Sequence, residues 1–551
     1  MKRRDFIRTI PAFAAPLMLN GIPLSLMGQG SMLSKLAATS TNDRVLVLIQ
    51  LHGGNDGLNA VIPANQYSQY YNLRPNIAIP DSGSRKFITL DGTLPSANQV
   101  GLHPDMIDVK SLYDQGKMAV VQGVAYENFN QSHFRSRDIW FMGGDYDDYL
   151  GSGWAGRYLS NRFPGYPETF PNETMPDPLA IELGTGVSLA FHKGSGIPMS
   201  ISINNPNQFY DLINSVGGAA PPEPLAGTPY ASELKYIMGM EDKSNDYAQR
   251  LKDVFAKGSN STVTYPTKYP FYAPLKYQNN GLSSQLRLIA RLLDGGCQTK
   301  VFLARMTGFD THANQVQPGT EGDRSMGSHA ALLYHMSSAM KAFQDDLEKL
   351  GMADKVMAVT FSEFGRRAAS NASYGTDHGT SAPMFVFGKC VKPGVVGATP
   401  NLSDLDGGNI KMQFDYRQVF TTLLQDWMGA SDSALDAAMF TDFRSKRLDL
   451  VSCSAALGTN DSFTSDRFKL NTCAPNPVKT TTTFSYYINA ASHVSFKIFD
   501  TSGRLIKELV NENQEVGVHE VTEDLSSLEA GAYIYKIEAG SFKAAKAFVK
   551  L

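Results

Sequence analysis

The chain has 551 residues, of which 42% are hydrophobic and 19% are charged, and its 50 basic and 53 acidic side chains leave a net charge of −3. This length predicts more than one domain. The balance of charge argues against a protein that binds nucleic acid or an anionic membrane surface.

The first 40 residues have the layout of an export signal. Basic residues come first, and a short apolar region interrupted by prolines follows, so a spanning helix of about 20 apolar residues is not expected. The pair Arg3 and Arg4, followed by Asp5 and Phe6, resembles a twin-arginine signal, with an ordinary Sec signal as the alternative. We therefore expect residues 1–40 to be a signal peptide and leader that engage the twin-arginine or Sec translocase.

Strands and helices alternate along residues 41–450. Continuous apolar runs predict buried strands of a mostly parallel sheet, and amphipathic runs between them predict covering helices. The predicted strands are 44–51, 117–124, 300–308, 355–361 and 382–388, and the predicted helices are 103–116, 282–296, 328–351 and 415–429. Residues 145–285 lack clear periodicity and are interpreted as irregular insertions that determine substrate specificity.

The pattern changes near residue 450. Residues 451–473 read as a polar linker, and 474–551 alternate apolar and polar residues between turns, which predicts a small antiparallel β-sandwich. Cys453 and Cys473 bracket the linker, and we expect a disulfide between them in an oxidising compartment. Cys297 and Cys390 lie in apolar stretches and are interpreted as buried thiols.

Polar clusters adjoin five predicted strands on one edge of the sheet. Ligands of parallel sheets bind beyond the carboxyl ends of the strands, and carboxylates converging with imidazoles indicate a divalent metal site. The candidate residues are His52, Asp56, Ser132, His133, Arg135, Asp310, His312, Glu363, Arg366, Asp377 and His378.

Each candidate also has a purely structural interpretation. Asp56 and Ser132 would then be helix caps, Asp310 and His312 a turn or a structural pair, and His378 a turn histidine. In the same way, Glu363 and Arg366 would be a simple ion pair.

Six segments together resemble the domain of unknown function 1501 family, over about residues 40–430. They are LVLIQLHGGNDGLNAVIP, NQSHFRSRDIW, GWAGRYL, FDTHANQ, TFSEFGRR and GTDHGTSAPMFVFG. That family is placed in the alkaline-phosphatase-like superfamily, which includes phosphatases and sulfatases. The resemblance implies an α/β fold with a mostly parallel sheet sandwiched by helices.

The resemblance also implies site roles. The implied metal ligands are Asp56, Asp310, His312, Glu363 and His378. Ser132 corresponds to the nucleophile, and Arg135 or Arg366 would stabilise the ester oxygens. One or two ions of zinc, manganese or calcium are expected. The superfamily's second-metal histidine falls on Phe364, so His133 or His52 would have to replace it, and Asp377 is a further possible ligand.

Residues 474–551 resemble the C-terminal sorting domain of type IX secretion substrates. The matching stretches include FKIFDTSGRLIKEL and LSSLEAGAYIYKI. The resemblance implies that the type IX machinery exports the protein to the cell surface or the medium. A generic carbohydrate-binding or spacer sandwich is the alternative.

Taken together, these patterns predict an exported metal-dependent hydrolase of phosphate or sulfate esters, with a small-molecule or glycan ester as substrate. The alternative is a non-catalytic cell-surface binding or assembly protein on the same fold, and Phe364 is the sequence feature that favours it.

Overall fold

The structure is a computed structural model. It describes residues 17–19, 22–24, 43–167, 169–184, 186–208, 211, 247–319, 323–453, 468–470, 473, 476–488, 491–500, 503–515, 517–539 and 542–551. The chain forms two compact units, Met1–Gly458 and Thr459–Leu551. Within the described residues, no helix combines the length and apolarity needed to cross a membrane.

A mostly parallel sheet forms the centre of the first unit. Its strands are β1 (Val45–His52), β2 (Met118–Ala125), β3 (Ala180–Leu183), β4 (Ser200–Ile203), β5 (Val301–Thr307), β6 (Val356–Phe361), β7 (Ala382–Phe387), β8 (Gly394–Val396) and β9 (Phe414–Asp415). Their order is β8-β2-β7-β6-β1-β5-β3-β4, and β9 pairs with β2. Only β7 runs antiparallel to its neighbours, β6 and β2.

Helices alternate with these strands along the chain, and the last two follow the final strand. They are α1 (Gly57–Ala60), α2 (Tyr67–Leu73), α3 (Ile107–Asp114), α4 (His133–Met142), α5 (Trp154–Arg162), α6 (Gly281–Asp294), α7 (Ser328–Lys349), α8 (Tyr416–Thr422) and α9 (Asp432–Ala438). Another helix covers 247–257, and a π-helical turn, Leu423–Trp427, continues α8. A small antiparallel sheet joins Val61–Ile62, Gly101–Leu102 and Ile88–Thr89, and Leu17–Leu19 pairs with Ile22–Leu24.

The predicted fold class of the first unit is confirmed. Each predicted strand occurs within one or two residues of its expected bounds, because uninterrupted Val, Leu and Ile runs suit a strand that is covered on both faces. All eight residues of β2 are buried, and so are the first seven of β1. The helix α7 buries residues around most of its circumference, as expected for a helix packed on several sides.

The interpretation of 145–285 as irregular loops was wrong for part of that region. It contains α5, the helix over 247–257 and the edge strands β3 and β4. The two strands have only four residues each and lie between turns, so their pattern is too short to show a period of two. Their pairing with β5 and with each other supplies the backbone hydrogen bonds that stabilise them.

The structure also corrects the disulfide. Cys453 pairs with Cys390, whereas Cys473 is a buried free thiol. A local antiparallel bridge between Val391 and Val451 places the two bonded cysteines side by side. The expectation of a Cys453–Cys473 bond rested on proximity in sequence, but tertiary pairing decides which sulfur atoms meet.

The second unit is antiparallel throughout its described residues. Its strands are β10 (Phe468–Leu470), β11 (Thr481–Ile488), β12 (Ser492–Asp500), β13 (Leu505–Gln514), β14 (Gly517–Asp524), β15 (Gly531–Ala539) and β16 (Phe542–Lys550). They form two sheets, ordered β10-β11-β14 and β13-β12-β15-β16. Inward residues such as Phe484, Phe496 and Tyr535 alternate with exposed ones and form a separate core. The predicted antiparallel sandwich is confirmed.

Most of the predicted signal and linker lie outside the described residues. Of residues 1–40 only two three-residue strands are described, and of 451–473 only 451–453, 468–470 and 473. The signal peptide, the linker and the domain bounds therefore stay predictions.

Strand direction explains why the polar clusters meet. β1, β2, β5 and β6 all run the same way, so their carboxyl ends share one edge of the sheet. Because β7 runs in the opposite direction, its amino end lies at that same edge, and the segment before it arrives there too.

Candidate functional site

The loop after β1 makes a sharp turn that only glycine fits. Gly53 has a φ of +123°, and a Cβ there would lie 2.2 Å from the backbone nitrogen of Asp310. Gly54 has a φ of +84°, and its Cβ would lie 2.5 Å from the ring of Phe364. The two glycines therefore let three loops of the sheet edge pack against one another without side chains between them.

Four side chains from three loops converge above this turn. One ligand atom from each of His133, Asp310 and His378 lies within 4.8 Å of the others. The Nε2 atom of His312 lies 2.9 Å from Nε2 of His378 and 3.2 Å from Oδ1 of Asp310. The Nε2 atom of His378 lies 3.3 Å from that same oxygen. We call these four residues the histidine cluster.

Each imidazole of the histidine cluster is oriented by an acceptor on its far side. The Nδ1 atom of His378 is 2.8 Å from the backbone carbonyl oxygen of Gln131, and that of His133 is 2.9 Å from Oε1 of Glu363. A carbonyl oxygen can only accept, so Nδ1 of His378 carries the hydrogen and Nε2 of the neutral ring presents a lone pair. Outer acceptors of this kind are typical of histidines that bind a metal.

The third imidazole, that of His312, also faces an acceptor, but at a longer distance. The Nδ1 atom of His312 lies 3.4 Å from Oδ1 of Asp377, and the amide of Asn371 donates to that oxygen at 3.1 Å. His312 and Asp377 are both exposed, so this arm of the cluster faces solvent. The three Nε2 atoms thus point toward the same carboxylate from different sides.

One nitrogen of the cluster has no hydrogen-bond partner among the described residues. Nε2 of His133 is buried and lies 3.5 Å from Oδ2 of Asp310 without forming a hydrogen bond. A buried polar atom that lacks a partner costs about 1–3 kcal/mol. A cation bound between the rings would satisfy it, so the residues present fit a metal ion.

Arg366 sets the electrostatics beneath the cluster. Burial would raise the pKa of Asp310, but the hydrogen bond and the charge of Arg366, whose Nη2 lies 2.6 Å from Oδ1, lower it to about 2. Burial, and then the charge of Arg366, lowers the pKa of His378 below its ordinary value. Near neutral pH the carboxylate is therefore ionised and His378 is neutral, which are the states that bind a metal.

The role expected for Arg366 itself is corrected. It was expected to stabilise the oxygens of an ester, but its side chain has no exposed surface. Its guanidinium donates to the carbonyl oxygens of Gly53, Gly54, Phe309 and Thr376 as well as to Asp310. Because its donors are used within the protein, Arg366 joins the loops rather than facing a ligand.

Asp56 is placed differently from the expectation as well. Its side chain is 1% exposed, and Nη1 of Arg74 donates to both of its oxygens, at 2.8 and 2.7 Å. The amide of Gln315 donates to Oδ2 at 2.6 Å. Burial is the largest single effect and opposes ionisation, but the charge of Arg74, the nearby His329 and the hydrogen bonds from Arg74 and Gln315 together keep the pKa of Asp56 below its ordinary value. Asp56 occupies the N-cap position of α1 without a capping hydrogen bond, so it is neither a cap nor part of the cluster.

Glu363 and Phe364 contact the imidazole rings of the histidine cluster. Oε1 of Glu363 accepts from the backbone N–H of Gly53 at 2.8 Å and contacts His133, and its ion-pair alternative with Arg366 is not formed. The ring of Phe364 packs on the rings of His133 and His378, with centroids 4.8 and 4.6 Å apart. Glu363 and Phe364 together therefore fix the position of the His133 ring.

The remaining candidates surround the cluster. Ser132 is exposed, occupies the N-cap position of α4 and makes no side-chain capping bond. Arg135 donates to the carbonyl oxygens of Tyr146 and Asp148, which directs it to a neighbouring loop. His52 stacks on His133 with centroids 6.2 Å apart, and burial lowers its pKa.

Two contributors had no usable signal in the sequence. Gln131 orients His378 through its backbone carbonyl, which any residue type would supply. Arg74 is an isolated arginine at the end of α2, and nothing in its neighbourhood predicts a pairing with Asp56 18 residues earlier.

Two family descriptions match separate parts of the chain. Residues 258–439 match "Protein of unknown function (DUF1501)". Residues 473–550 match "Secretion system C-terminal sorting domain". The two predicted resemblances are thus confirmed, although the DUF1501 match covers only the later part of the first unit. The sorting domain indicates the type IX secretion system and export to the cell surface or the medium.

Several solved structures are similar to large parts of the chain. One is a protein in the alkaline phosphatase superfamily from Vibrio parahaemolyticus, with 10% identity, 84% of this chain and 81% of that chain covered, and a TM-score of 0.30. Another is a sulfatase from Pseudoalteromonas sp., with 9% identity, 90% and 88% covered, and a TM-score of 0.31. The alkaline phosphatase from the Antarctic bacterium TAB5 has 11% identity, 65% and 95% covered, and a TM-score of 0.25. Among curated proteins none matches this chain.

Proposed function

We propose that this protein is an exported hydrolase of phosphate or sulfate esters that uses one divalent cation held by the histidine cluster. The observation that carries the proposal is the convergence of three Nε2 atoms on Asp310 while the Nδ1 atoms of the same rings face acceptors. Rings oriented in this way direct lone pairs to one point, which is the arrangement a metal requires.

The donor set favours zinc. Three imidazoles and one carboxylate are ligands that zinc binds in four-coordinate sites, and manganese accepts a similar set less readily. Calcium requires six to eight oxygen ligands, and the histidine cluster offers oxygen only from Asp310. We therefore propose zinc as the preferred ion, in a single site.

The proposed ester hydrolysis depends on Ser132, which adjoins the histidine cluster in sequence. When bound, the cation supplies Lewis acidity to the ester oxygens. Ser132, directly before the ligand His133, is the proposed nucleophile, and its position at the N-terminus of the ten-residue helix α4 favours an anionic group next to it. The serine oxygen bonds to phosphorus or sulfur as the bond to the alcohol oxygen breaks, and the serine proton passes through solvent to the departing alcohol. Water then cleaves the serine ester, which releases phosphate or sulfate and returns a proton to the serine oxygen.

Binding without catalysis is the second candidate, and Phe364 is the observation that favours it. Its ring packs on both His133 and His378 and offers no ligand atom, so the position beside Glu363 lacks the histidine expected for a second cation. A protein with one structural cation on this fold would bind a surface ligand and hydrolyse nothing.

The two candidates are separated by measuring metal content and ester hydrolysis on the purified full chain. We expect about one zinc per chain, and release of 4-nitrophenol from 4-nitrophenyl phosphate or sulfate that is lost in Ser132→Ala. Zinc binding with no hydrolysis of either ester would support the binding protein instead. Absence of stoichiometric zinc, manganese or calcium would refute both. His493→Gln, which changes an exposed histidine of the second unit, is the matched control.

A further inference from the structure

A polar cleft lies beside the histidine cluster. Its volume is about 460 Å³, which falls in the usual range of ligand sites. The residues that line it are Phe129, Asn130, Gln131, Arg367, Asp406, Gly407 and Asn409.

The cleft is joined to the site through three of its lining residues. The side chain of Gln131 donates to the backbone carbonyl oxygen of His378 at 3.1 Å. Oδ1 of Asn130 accepts from the backbone N–H of Ser132 at 2.8 Å. The backbone of Arg367 donates to the carbonyl oxygen of Asp377. A molecule in the cleft would therefore contact residues that directly adjoin the proposed nucleophile and a proposed ligand.

One wall of the cleft is a rigid turn. Asp406 and Asn409 exchange two backbone hydrogen bonds, 3.0 and 2.9 Å long. The two residues between them, Gly407 and Gly408, have φ angles of +54° and +87°, which glycine adopts without strain. The carbonyl oxygen of Gly408 accepts from the backbone of Ala368, so the turn is attached to the loop that carries Arg367.

Asn409 presents a buried acceptor that no described residue satisfies. Its side chain is 4% exposed, and its amide nitrogen donates to the carbonyl oxygen of Asp406 at 3.1 Å. That bond fixes which end of the amide is oxygen, and Oδ1 lacks a hydrogen-bond partner within the described residues. A buried acceptor beside a cleft is suited to a ligand that donates a hydrogen bond, such as a hydroxyl group.

The composition of the lining selects among classes of ligand. Arg367 and Asp406 are both exposed and carry opposite charges, so the lining has no net charge and the carboxylate would repel an anionic group. Three side-chain amides would lose their hydration against an apolar ligand. A half-buried aromatic ring at Phe129 next to amides and a carboxylate instead suits a molecule with many hydroxyl groups and an apolar face.

We propose that this cleft binds the uncharged, polyhydroxylated part of the substrate, so that the ester is a phosphate or sulfate ester of a sugar. This inference rests on the proposed hydrolase as far as the ester is concerned. Binding of the sugar itself requires only the cleft.

The first test is binding of neutral sugars to the full chain, without any ester. The probes are the methyl glycosides of glucose, galactose and fucose, with lactose and cellobiose, measured by saturation-transfer difference NMR. At least one is expected to bind, and Arg367→Gln combined with Asp406→Asn should weaken it about tenfold or abolish it. Asp404→Asn is the control, because Asp404 is exposed on the same segment, pairs with Lys411 and does not line the cleft. If no probe binds the wild type, or if the double variant binds as well as wild type, the cleft is not a sugar site.

The second test compares two kinds of ester. Glucose 6-phosphate and galactose 6-sulfate carry a sugar, whereas 4-nitrophenyl phosphate and sulfate do not. The double variant should lower kcat/KM for the sugar esters about tenfold relative to the aryl esters, mainly through KM. If the enzyme is active and the double variant leaves the ratio of kcat/KM for sugar esters to kcat/KM for aryl esters unchanged, the cleft does not bind the sugar. The proposed hydrolase activity is then unaffected. Sugar binding without hydrolysis of any ester supports the cleft and refutes the hydrolase, so the two failures are distinguishable.

Discussion

The Nε2 atoms of His312 and His378 lie 2.9 Å apart, although 66 positions separate the two residues in the sequence. The Nδ1 atom of each ring faces an oxygen acceptor, so both Nε2 atoms turn lone pairs toward the same space. Two lone pairs at this distance repel each other unless a cation or a proton lies between them. That relationship underlies the first prediction.

Zinc should stabilise the first unit. A ligand that binds the native state at 100 times its Kd adds about 2.7 kcal/mol to the free energy of unfolding. We expect zinc to raise the Tm of the first unit. Tryptophan fluorescence measures this Tm, since all three tryptophans, Trp140, Trp154 and Trp427, lie in the first unit. His378→Gln should remove the increase and His493→Gln should keep it. An equal increase in both variants would place the zinc elsewhere.

Arg366 should be one of the most sensitive positions of the fold. Arg366→Gln removes the partner of Asp310 and several donors to loop carbonyl oxygens, so we expect the free energy of unfolding to fall by about 3–5 kcal/mol. Arg367→Gln is the matched control, since the neighbouring arginine is exposed and should change stability by no more than about 0.5 kcal/mol. Urea unfolding followed by tryptophan fluorescence measures both. Similar losses for the two variants would contradict a special role for Arg366.

Asp56 should matter for stability and not for metal affinity. Asp56→Asn leaves the fully buried guanidinium of Arg74 without a counter-charge, which costs about 3–5 kcal/mol. The zinc Kd, measured by competition with a chromophoric chelator, should stay within about threefold of wild type. Asp310→Asn should weaken zinc binding at least tenfold in the same assay. If Asp56→Asn weakened zinc binding as much, Asp56 would be a ligand after all.

His329 should make the first unit sensitive to acid. The side chain is 2% exposed and lies 3.0 Å from Oδ1 of Asn55, and burial lowers its pKa to about 4. Between about pH 6.5 and 4 the unfolded chain binds a proton that the native state does not, so stability rises with pH across this window and falls on acidification. The free energy of unfolding reaches its full value above about pH 6.5, and its loss on acidification to about pH 4 is on the order of 3 kcal/mol.

Replacing His329 tests this pH dependence. The free energy of unfolding of His329→Gln, measured by urea unfolding at several pH values, should depend less steeply on pH between 6.5 and 4 than that of wild type. At pH 8 His329 is neutral in both the native and the unfolded chain. The difference in unfolding free energy between His329→Gln and wild type at that pH therefore measures only the packing cost of the substitution. Parallel curves for the two proteins over the whole range would disprove the assignment.

The disulfide should stabilise the first unit through a long loop. The bond between Cys390 and Cys453 spans 63 positions, for which the loop-entropy estimate is about 4 kcal/mol. Cys390→Ser, Cys453→Ser and the double variant should all lose a similar amount, because each of them removes the same bond. If the losses of the single variants added up in the double variant, the two sulfur atoms would not be bonded to each other.

Much of the fold was predictable because its elements have strong local patterns. The buried strands β1, β2 and β6 consist of apolar runs that leave few alternatives, and α6 has regular helical spacing. The edge strands β3 and β4 were missed because four residues are too few to establish a pattern. The disulfide partner of Cys453 was missed because it depends on a strand-like contact between distant segments.

The sequence alone was enough to place the polar loops after β1, β2, β5 and β6 on one edge of the sheet, because the alternation of strands and helices predicts parallel strands. The loop that carries His378 reaches the same edge because β7 runs antiparallel, which the structure decided. The sequence also identified the sorting domain, whose motifs are local. Only the tertiary structure decided which of these side chains meet. His133 reaches Glu363 across 230 positions, Asp56 turns away to Arg74, and Arg366 is buried beneath Asp310. The physical reason is that the direction of a side chain depends on the donors and acceptors packed around it, and those come from segments that are far apart in the chain.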